Sequence, residues 1–283
     1  MQFGAGVAAV GVLGIIFGVV GGAGGGQSMN TASNVTPFSG TAPTPEKAQG
    51  APLPEGSSDD EDDSGDEDVP AGSGPPAEGI DVSNHNGKID WKSVAASGKQ
   101  FAFVLASDGQ SFTSKTFDEQ YNGAKNAGMM AGAYHFGRPS GSAEQQANRL
   151  LEVNKYTDDG KSLPPVLDLE VDPDTGSCYG LTTGQMHGWT QKFLDRIKEG
   201  TGKDAIIYAS PSFWSQCMGG SDAFKDNPLW LASYGVDQPK VPGGWGEYDF
   251  WQYTEEGSVP GIEGDVDLNK FNGSVKELKD LAD

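Results

Sequence analysis

Residues 165–171 have the sequence PVLDLEV, a β-rich run that carries two acidic side chains. Side chains alternate between the faces of a strand, so Val166, Asp168 and Glu170 share one face, and the two leucines and Val171 take the other. The second face suits packing beneath helices, whereas the first places two acids about 7 Å apart. Charged residues are rarely buried in a strand without partners. We therefore expect the acids at the carboxyl end of a barrel strand, where active sites of that architecture lie.

Seven further β-rich runs flank this strand on both sides. They cover residues 79–83, 101–107, 130–136, 205–210, 228–234, 248–254 and 265–271. Amphipathic helical stretches separate the early runs, at residues 91–98, 118–128, 143–156 and 182–199, with Asp118 and Thr183 as N-cap or first-turn residues. Strand–helix alternation predicts an α/β fold with a parallel sheet, and eight strands predict closure into a barrel.

The later connections, such as residues 234–248, are too short or too rich in glycine and proline to hold complete helices. We therefore predict an irregular, TIM-barrel-like β/α barrel with about eight strands and incomplete helices in its second half.

Composition divides the chain into three regions. Residues 3–26 are all Phe, Gly, Ala, Val, Leu or Ile, which predicts a signal peptide or a membrane anchor over residues 1–26. Residues 27–78 are acidic and rich in Pro, Ser and Gly, typical of a disordered linker. Large apolar residues become dense in residues 79–283, the predicted folded domain. Either reading of residues 3–26, cleaved signal or membrane tether, makes the protein secreted or attached to the cell envelope.

Charge and metal-ligand types exclude several classes of function. The formal net charge is −21, and clustered Lys and Arg are absent from the sequence, so nucleic acid is not an expected partner. The chain has three histidines and two cysteines, none in a zinc-ligand spacing, and we predict neither a metal nor a cofactor. In an exported protein Cys178 and Cys217 are expected to form a disulfide, and two buried free thiols are the alternative.

Two more acids occur in similar strand contexts, Asp81 and Asp267. Glycoside hydrolysis needs a proton donor and a group that stabilises or attacks the developing cation. Crowded carboxyl groups supply both, because repulsion and burial raise one pKa enough to keep that group protonated. The alternative is that these acids pair with Arg or Lys on the barrel rim and have only a structural role.

A series of motifs runs in order along residues 79–283. They are Gly79-Ile80-Asp81-Val82-Ser83 with Trp91, Gly132-Ala133-Tyr134-His135-Phe136 with Arg138-Pro139, Val166-Leu167-Asp168-Leu169-Glu170, Cys178-Tyr179-Gly180-Leu181, Ile207-Tyr208, Trp214 with Cys217, Trp251-Gln252-Tyr253, and Gly261-Ile262 with Asp265-Val266-Asp267-Leu268. On these motifs the region resembles the Chalaropsis-type lysozymes of glycoside hydrolase family 25, most closely the secreted actinobacterial muramidases.

The resemblance implies a catalytic muramidase domain over residues 79–283, with a flattened β/α barrel. Its partner would be the glycan strands of peptidoglycan, cut at the β-1,4 bond from N-acetylmuramic acid to N-acetylglucosamine, and we expect a monomer. By matching positions, Glu170 would be the general acid and Asp168 would orient the substrate's acetamido group or stabilise the cationic intermediate. Asp81 and Asp267 would complete the acidic cluster. The nucleophile is either a carboxylate or the 2-acetamido oxygen, and we favour substrate assistance with retention.

This chain also departs from the family pattern. The family usually has Lys-Ala-Thr/Ser-Glu-Gly after the second strand, where this chain has Leu105-Ala-Ser-Asp108-Gly. Asp108 is predicted to bind substrate, together with Tyr134, Tyr208 and Trp251, whose rings could stack on sugars. Core packing is the alternative for each aromatic residue. The departures leave a second function open, a catalytically weak peptidoglycan-binding surface protein on the same fold.

Overall fold

Nine β-strands and six α-helices make up residues 75–283, the part of the chain that the computed structural model describes. The strands are β1 (Glu78–Val82), β2 (Phe101–Asp108), β3 (Phe112–Thr113), β4 (Met130–Phe136), β5 (Val166–Leu169), β6 (Ile206–Ala209), β7 (Leu229–Ala232), β8 (Phe250–Gly257) and β9 (Val266–Phe271). The helices are α1 (Trp91–Ala96), α2 (Phe117–Asn126), α3 (Ala143–Asn154), α4 (Thr183–Thr201), α5 (Pro211–Cys217) and α6 (Val275–Ala282).

Eight of these strands close into a barrel in the order β1-β2-β4-β5-β6-β7-β8-β9, and β9 returns to β1. The short β3 is a hairpin partner of β2 outside the ring. The pairs from β1–β2 round to β7–β8 are parallel, and β9 is antiparallel to both of its neighbours. The predicted irregular β/α barrel is confirmed, but the expectation of a parallel sheet is wrong for β9. The connection at residues 258–265 is too short for the crossover that a parallel strand needs.

Helices cover the first half of the barrel more completely than the second, as predicted. α1 to α4 coincide with the four predicted stretches, and Asp118 and Thr183 lie in the first turns of α2 and α4. The connection from β7 to β8 forms no helix. Gly243 and Gly244 there have φ values of 62° and 78°, a left-handed conformation that does not continue an α-helix.

The side-chain alternation predicted for β5 separates two layers of core. Val166 faces the barrel interior, which is filled by aromatic rings such as Phe103 and Trp230, stacked with ring centroids 4.3 Å apart. Leu167 and Leu169 face outward into the layer beneath the helices. The barrel is therefore a packed core and not a pore, and chemistry is confined to its rim.

The folded domain begins slightly earlier than residue 79. Ala77 is fully buried, and its backbone N–H donates to the Gly273 carbonyl at 3.1 Å. Glu78 belongs to β1 and forms an ion pair with Lys99 at 2.6 Å. The linker predicted over residues 27–78 therefore ends before these two residues. The signal-or-anchor segment and residues 27–74 of the linker lie outside the described residues and stay predictions. Among the helices of residues 75–283, none combines the length and apolar character that crossing a bilayer requires.

A disulfide joins Cys178, in the connection that follows β5, to Cys217 at the end of α5, so this prediction is confirmed. The two cysteines are 39 positions apart in sequence and their Cα atoms are 5.4 Å apart. The bridge ties the residues after β5 to a helix that follows α4 and β6 in the chain, and it closes a long loop.

Loss of this bridge is expected to lower the melting temperature by about 5–15 °C. Opening a loop of this length restores chain entropy to the unfolded state, worth about 2–4 kcal/mol. Thermal unfolding followed by circular dichroism, for wild type and the Cys178→Ala/Cys217→Ala variant, measures the effect. A reductant should shift the melting of wild type and leave the double variant unchanged. Equal melting temperatures for the two proteins would contradict the prediction.

Candidate active site

All four acids predicted from the sequence lie at one rim of the barrel. Asp168 is on β5 near its carboxyl end, and Glu170 follows the last residue of that strand. Asp81, near the end of β1, is the register partner of Asp267 on β9. Because β9 runs in the opposite direction, its first residues reach the rim at which β1 and β5 end. The structure therefore brings these carboxyl groups together.

Asp81 is the most firmly fixed of the four. It is buried, and its Oδ2 accepts hydrogen bonds from Gln252 Nε2 at 2.7 Å and Asn269 Nδ2 at 2.8 Å. Burial raises the pKa of Asp81, although the bonds from Asn269, Gln252 and Asp267 oppose the rise. Burial and the charge of Asp81 raise the pKa of Asp267 to about 10. At neutral pH, Asp267 is thus protonated and donates to Asp81.

The two amides that bind Asp81 are themselves oriented by aromatic residues. Gln252 Oε1 accepts from the hydroxyls of Tyr208 at 2.7 Å and Tyr234 at 2.6 Å. Asn269 Oδ1 accepts from Trp230 Nε1 at 2.8 Å. Each amide oxygen is occupied by a donor, which leaves each amide nitrogen to face the Asp81 carboxylate. This network fixes the carboxylate in place without a cation.

The surroundings of Asp168 and Glu170 differ from those of Asp81. Asp168 is buried, and among residues 75–283 its Oδ1 has no hydrogen-bond partner. Burial, followed by the charges of Glu170 and Asp81, raises the pKa of Asp168 well above its usual value. Burial also raises the pKa of Glu170 to about 7, against the opposing charge of Arg138. The cluster therefore holds protons at neutral pH that isolated carboxyl groups would have lost, as general acid catalysis requires.

Asp108, predicted to bind substrate, is paired with Arg138. The guanidinium contacts the carboxylate through Nε–Oδ1 at 2.7 Å and Nη2–Oδ2 at 2.9 Å. The two side chains line a cavity of about 390 Å³, bordered by the exposed Phe112 of β3. Asp108 therefore positions the arginine whose charge acts on Glu170, and a substrate contact at this residue stays a prediction.

His135 lies beneath this pair in a buried chain of hydrogen bonds. Its Nδ1 is 2.8 Å from Ser107 Oγ and its Nε2 is 3.0 Å from Gln146 Oε1. Gln146 Oε1 also accepts from the backbone N–H of Arg138 at 2.9 Å. Burial lowers the pKa of His135 to about 4, so the imidazole is neutral. Its role is to support the segment that carries Arg138.

The three aromatic residues predicted to bind sugar occupy different places. Tyr134 is partly buried, and burial together with the charges of all four acids raises its pKa, which places its hydroxyl at the cluster. Tyr208 is buried and contacts the cluster through Gln252. Trp251 is not at the rim site. It lies between Phe250 and Gln252, which face inward, so its ring points outward and its Nε1 donates to the Ser233 carbonyl at 2.7 Å. Strand alternation thus corrects the assignment of Trp251.

The model of the family "Glycosyl hydrolases family 25" matches residues 80–262. The chain belongs to this family. Lysozyme M1 of Streptomyces globisporus is 41% identical over 208 residues, covering 72% of this chain and 71% of the relative. The N,O-diacetylmuramidase of Chalaropsis sp is 34% identical over 212 residues, covering 72% of this chain and 98% of the relative. The crystal structure of a lysozyme from Streptomyces coelicolor matches with a TM-score of 0.72 and 41% identity, covering 74% and 97%.

Family 25 membership makes the chain a glycoside hydrolase, and it leaves the roles of individual residues to their geometry. Sequence reasoning gave no role to four residues of the rim, which are Arg138, Tyr234, Gln252 and Asn269. A signal was present for the amides, since Gln252 follows Trp251 and Asn269 lies two residues beyond Asp267. Asn269 shares the inward face of β9 with Asp267, whereas Gln252 takes the face of β8 opposite to Trp251.

Proposed function

We propose that this family 25 domain is an N-acetylmuramidase that cleaves the β-1,4 bond between N-acetylmuramic acid and N-acetylglucosamine in peptidoglycan. The observation that supports it is the gathering of Asp81, Asp168, Glu170 and Asp267 at one rim, with a pKa of about 7 for Glu170. A group half-protonated near neutral pH can both donate and recover a proton within one turnover. The names of the relatives, lysozyme and N,O-diacetylmuramidase, point to the same substrate class.

In the proposed reaction Glu170 gives its proton to the glycosidic oxygen as the bond from that oxygen to C1 breaks. Asp168, whose Oδ1 has no protein partner in residues 75–283, accepts the N–H of the substrate's 2-acetamido group. The acetamido oxygen then attacks C1 and forms a cyclic oxazolinium. Water opens this ring as Glu170 takes the water's proton, so the anomeric configuration is retained.

Asp81 and Asp267 act as a proton-sharing pair beside the reacting sugar. The fixed Asp81 carboxylate adds negative charge that favours a cationic transition state, and the proton on Asp267 limits the repulsion that two full charges would cause. Tyr134 and Tyr208 are the proposed sugar contacts, because Tyr134 approaches all four acids and Tyr208 approaches all of them except Asp267.

We infer that the domain acts outside the cytoplasmic membrane as a monomer, and that residues 1–26 direct it there as a cleaved signal or a tether. The Cys178–Cys217 disulfide supports this location, because disulfides persist in oxidising compartments. An acidic surface would also limit binding to anionic wall polymers, so recognition would depend on the glycan in the groove.

Digestion of purified peptidoglycan, followed by borohydride reduction and mass spectrometry of the released muropeptides, tests the proposal. A muramidase leaves N-acetylmuramic acid at each new reducing end, so reduced muramitol should appear. Reduced glucosaminitol in its place would overturn the assignment of the bond. If no fragments were released while the protein still sedimented with the wall, the weakly catalytic, wall-binding function would replace it.

A further inference from the structure

The pairing of β8 with β9 is interrupted at the rim. Gln252 pairs with Asn269 and Thr254 pairs with Leu268, so Tyr253 is an extra residue on β8. The next pair is Gly257 with Val266, which leaves residues 255 and 256 of β8 opposite Asp267 alone. Bulges of this kind bend a strand and re-aim its side chains, and they are common next to active sites.

The first bulge reverses the alternation of β8. Gln252 faces the barrel mouth, so an unbroken strand would turn residue 254 inward and residue 255 outward. With Tyr253 inserted, Thr254 instead pairs with Leu268, which packs in the outer layer. Glu255 is therefore opposite the inward-facing Asp267. The second bulge leaves Glu256 exposed to solvent.

Glu255 is partly buried, and its Oε2 is enclosed without a hydrogen-bond partner among residues 75–283. An enclosed carboxylate oxygen that no donor satisfies costs free energy of folding. The structure offers no lysine or arginine partner to Glu255 within the described region. This arrangement lowers the stability of the fold, which points to a role for Glu255 in the function of the site.

We propose that Glu255 is a positioning residue whose carboxylate, turned into the barrel mouth by the two bulges, helps keep the catalytic proton on Glu170 at neutral pH. The inference rests on the role proposed above for Glu170. Glu255 would not touch the reacting atoms and would act only through its charge. It would thereby set the alkaline limit at which the hydrolase works.

The charge of Glu255 acts on two members of the cluster. It raises the pKa of Glu170, after burial and the charge of Asp81, and it raises the pKa of Asp267. The other titratable groups that face Glu170 come from every side of the rim: Asp81 on β1, Tyr134 on β4, Arg138 after β4, Asp168 on β5, Tyr179 in the connection that follows it, Tyr208 on β6 and Asp267 on β9.

Arg138 opposes Glu255 in this balance, because its positive charge favours the ionised form of Glu170. The charge of Arg138 is partly neutralised by Asp108, whose two carboxylate oxygens accept hydrogen bonds from the guanidinium. Without Glu255, the effect of Arg138 would dominate more strongly and the pKa of Glu170 would be lower. Glu170 would then lose its proton at lower pH, and the fraction of enzyme with a competent acid would fall first at alkaline pH.

The test is the pH dependence of kcat/KM for wild type, Glu255→Gln and Glu256→Gln on soluble peptidoglycan. The two variants lose the same charge one residue apart, and only Glu255 faces the mouth. We expect the alkaline limb of Glu255→Gln to move to lower pH by about 0.5–1 unit, with little change on the acid side. Rates at pH 8 to 9 should fall about three- to tenfold. The Glu256→Gln profile should coincide with that of wild type.

A second measurement does not depend on activity. The ¹³C chemical shift of the Glu170 carboxyl carbon, followed by NMR against pH in wild type and Glu255→Gln, should show the same downward displacement. Thermal melting reports folding, and Glu255→Ser replaces the glutamine variant if that one unfolds. Superimposable wild-type and Glu255→Gln titrations would overturn the inference. An active Glu170→Gln variant would overturn the general-acid role proposed for Glu170 instead, so the two failures are distinguishable.

Discussion

Replacing Glu170 with glutamine is expected to abolish peptidoglycan hydrolysis and to leave the barrel folded. The amide keeps the shape of the side chain but has no acidic proton to give to the leaving oxygen. General acid catalysis contributes a factor of about 10² to 10⁴, so activity should fall by at least that amount. Release of new reducing ends from peptidoglycan, measured over several hours, gives the residual rate.

Stability provides an independent check on this variant. Folding raises the pKa of Glu170 from 4.5 to about 7, so between these pH values the unfolded chain has lost the proton that the folded protein still holds. The free energy of unfolding therefore falls as pH rises from about 4.5 to about 7. Removing the ionisable group should therefore leave the melting temperature at pH 8 unchanged or higher. Glu256→Gln, an exposed residue with the same chemical change, should match wild type in both assays. Near-normal activity of Glu170→Gln would show that the proton comes from another group.

The sequence predicts those features that follow from local covalent geometry. The two faces of β5 were assigned correctly because side chains alternate along any extended strand. The same reasoning placed Asp81, Asp168 and Asp267 in strands, as the structure has them, and it placed Glu170 in β5, which ends one residue earlier. The incomplete helices of the second half followed from glycine and proline in short connections. Each of these inferences needs only residues that are neighbours along the chain.

The features that were missed depend on pairing between distant strands. Alternation does not reveal strand direction, and the prediction of a parallel sheet is wrong for β9, because the short loop before this strand leaves no room for a crossover. Trp251 was assigned to the sugar site because it is aromatic and close to a strand end, although the inward position belongs to Gln252. The pairing of Asp108 with Arg138 could not be predicted, because Arg138 lies beyond the end of a neighbouring strand.

Glu255 is a clearer example of a feature that alternation along one strand cannot predict. Counting by two from Gln252 puts this residue on the outer face of β8, and the sequence of residues 252–256 contains no glycine to signal a bulge. Only the register of β8 against β9 shows that Tyr253 is extra. The inward direction of an acid that acts on the proton of Glu170 is thus encoded in the pairing of two strands and not in either strand alone.

Replacing Asp168 with asparagine is expected to reduce kcat by about 10² to 10⁴ with a smaller change in KM. Asparagine fits the same buried position, so the fold should survive. Its amide, however, cannot supply the carboxylate that draws the acetamido N–H and stabilises positive charge near C1. Because that interaction strengthens as charge develops, its loss should appear mainly in kcat. Initial rates over a range of soluble glycan concentrations separate the two constants.

Asp174→Asn is the matched control, because Asp174 is an exposed aspartate in the connection that follows the same strand. Its rates should equal those of wild type.

Azide distinguishes the two candidate nucleophiles in an Asp168→Ala variant. If Asp168 attacked C1 directly, azide would enter the vacated space and give a glycosyl azide of inverted configuration. If the acetamido oxygen attacks, the group that forms the intermediate is still present on the sugar, and azide should restore nothing. Near-normal kcat in Asp168→Asn would remove this carboxyl from the mechanism, since its unpartnered oxygen would then have no function in the bond-breaking step.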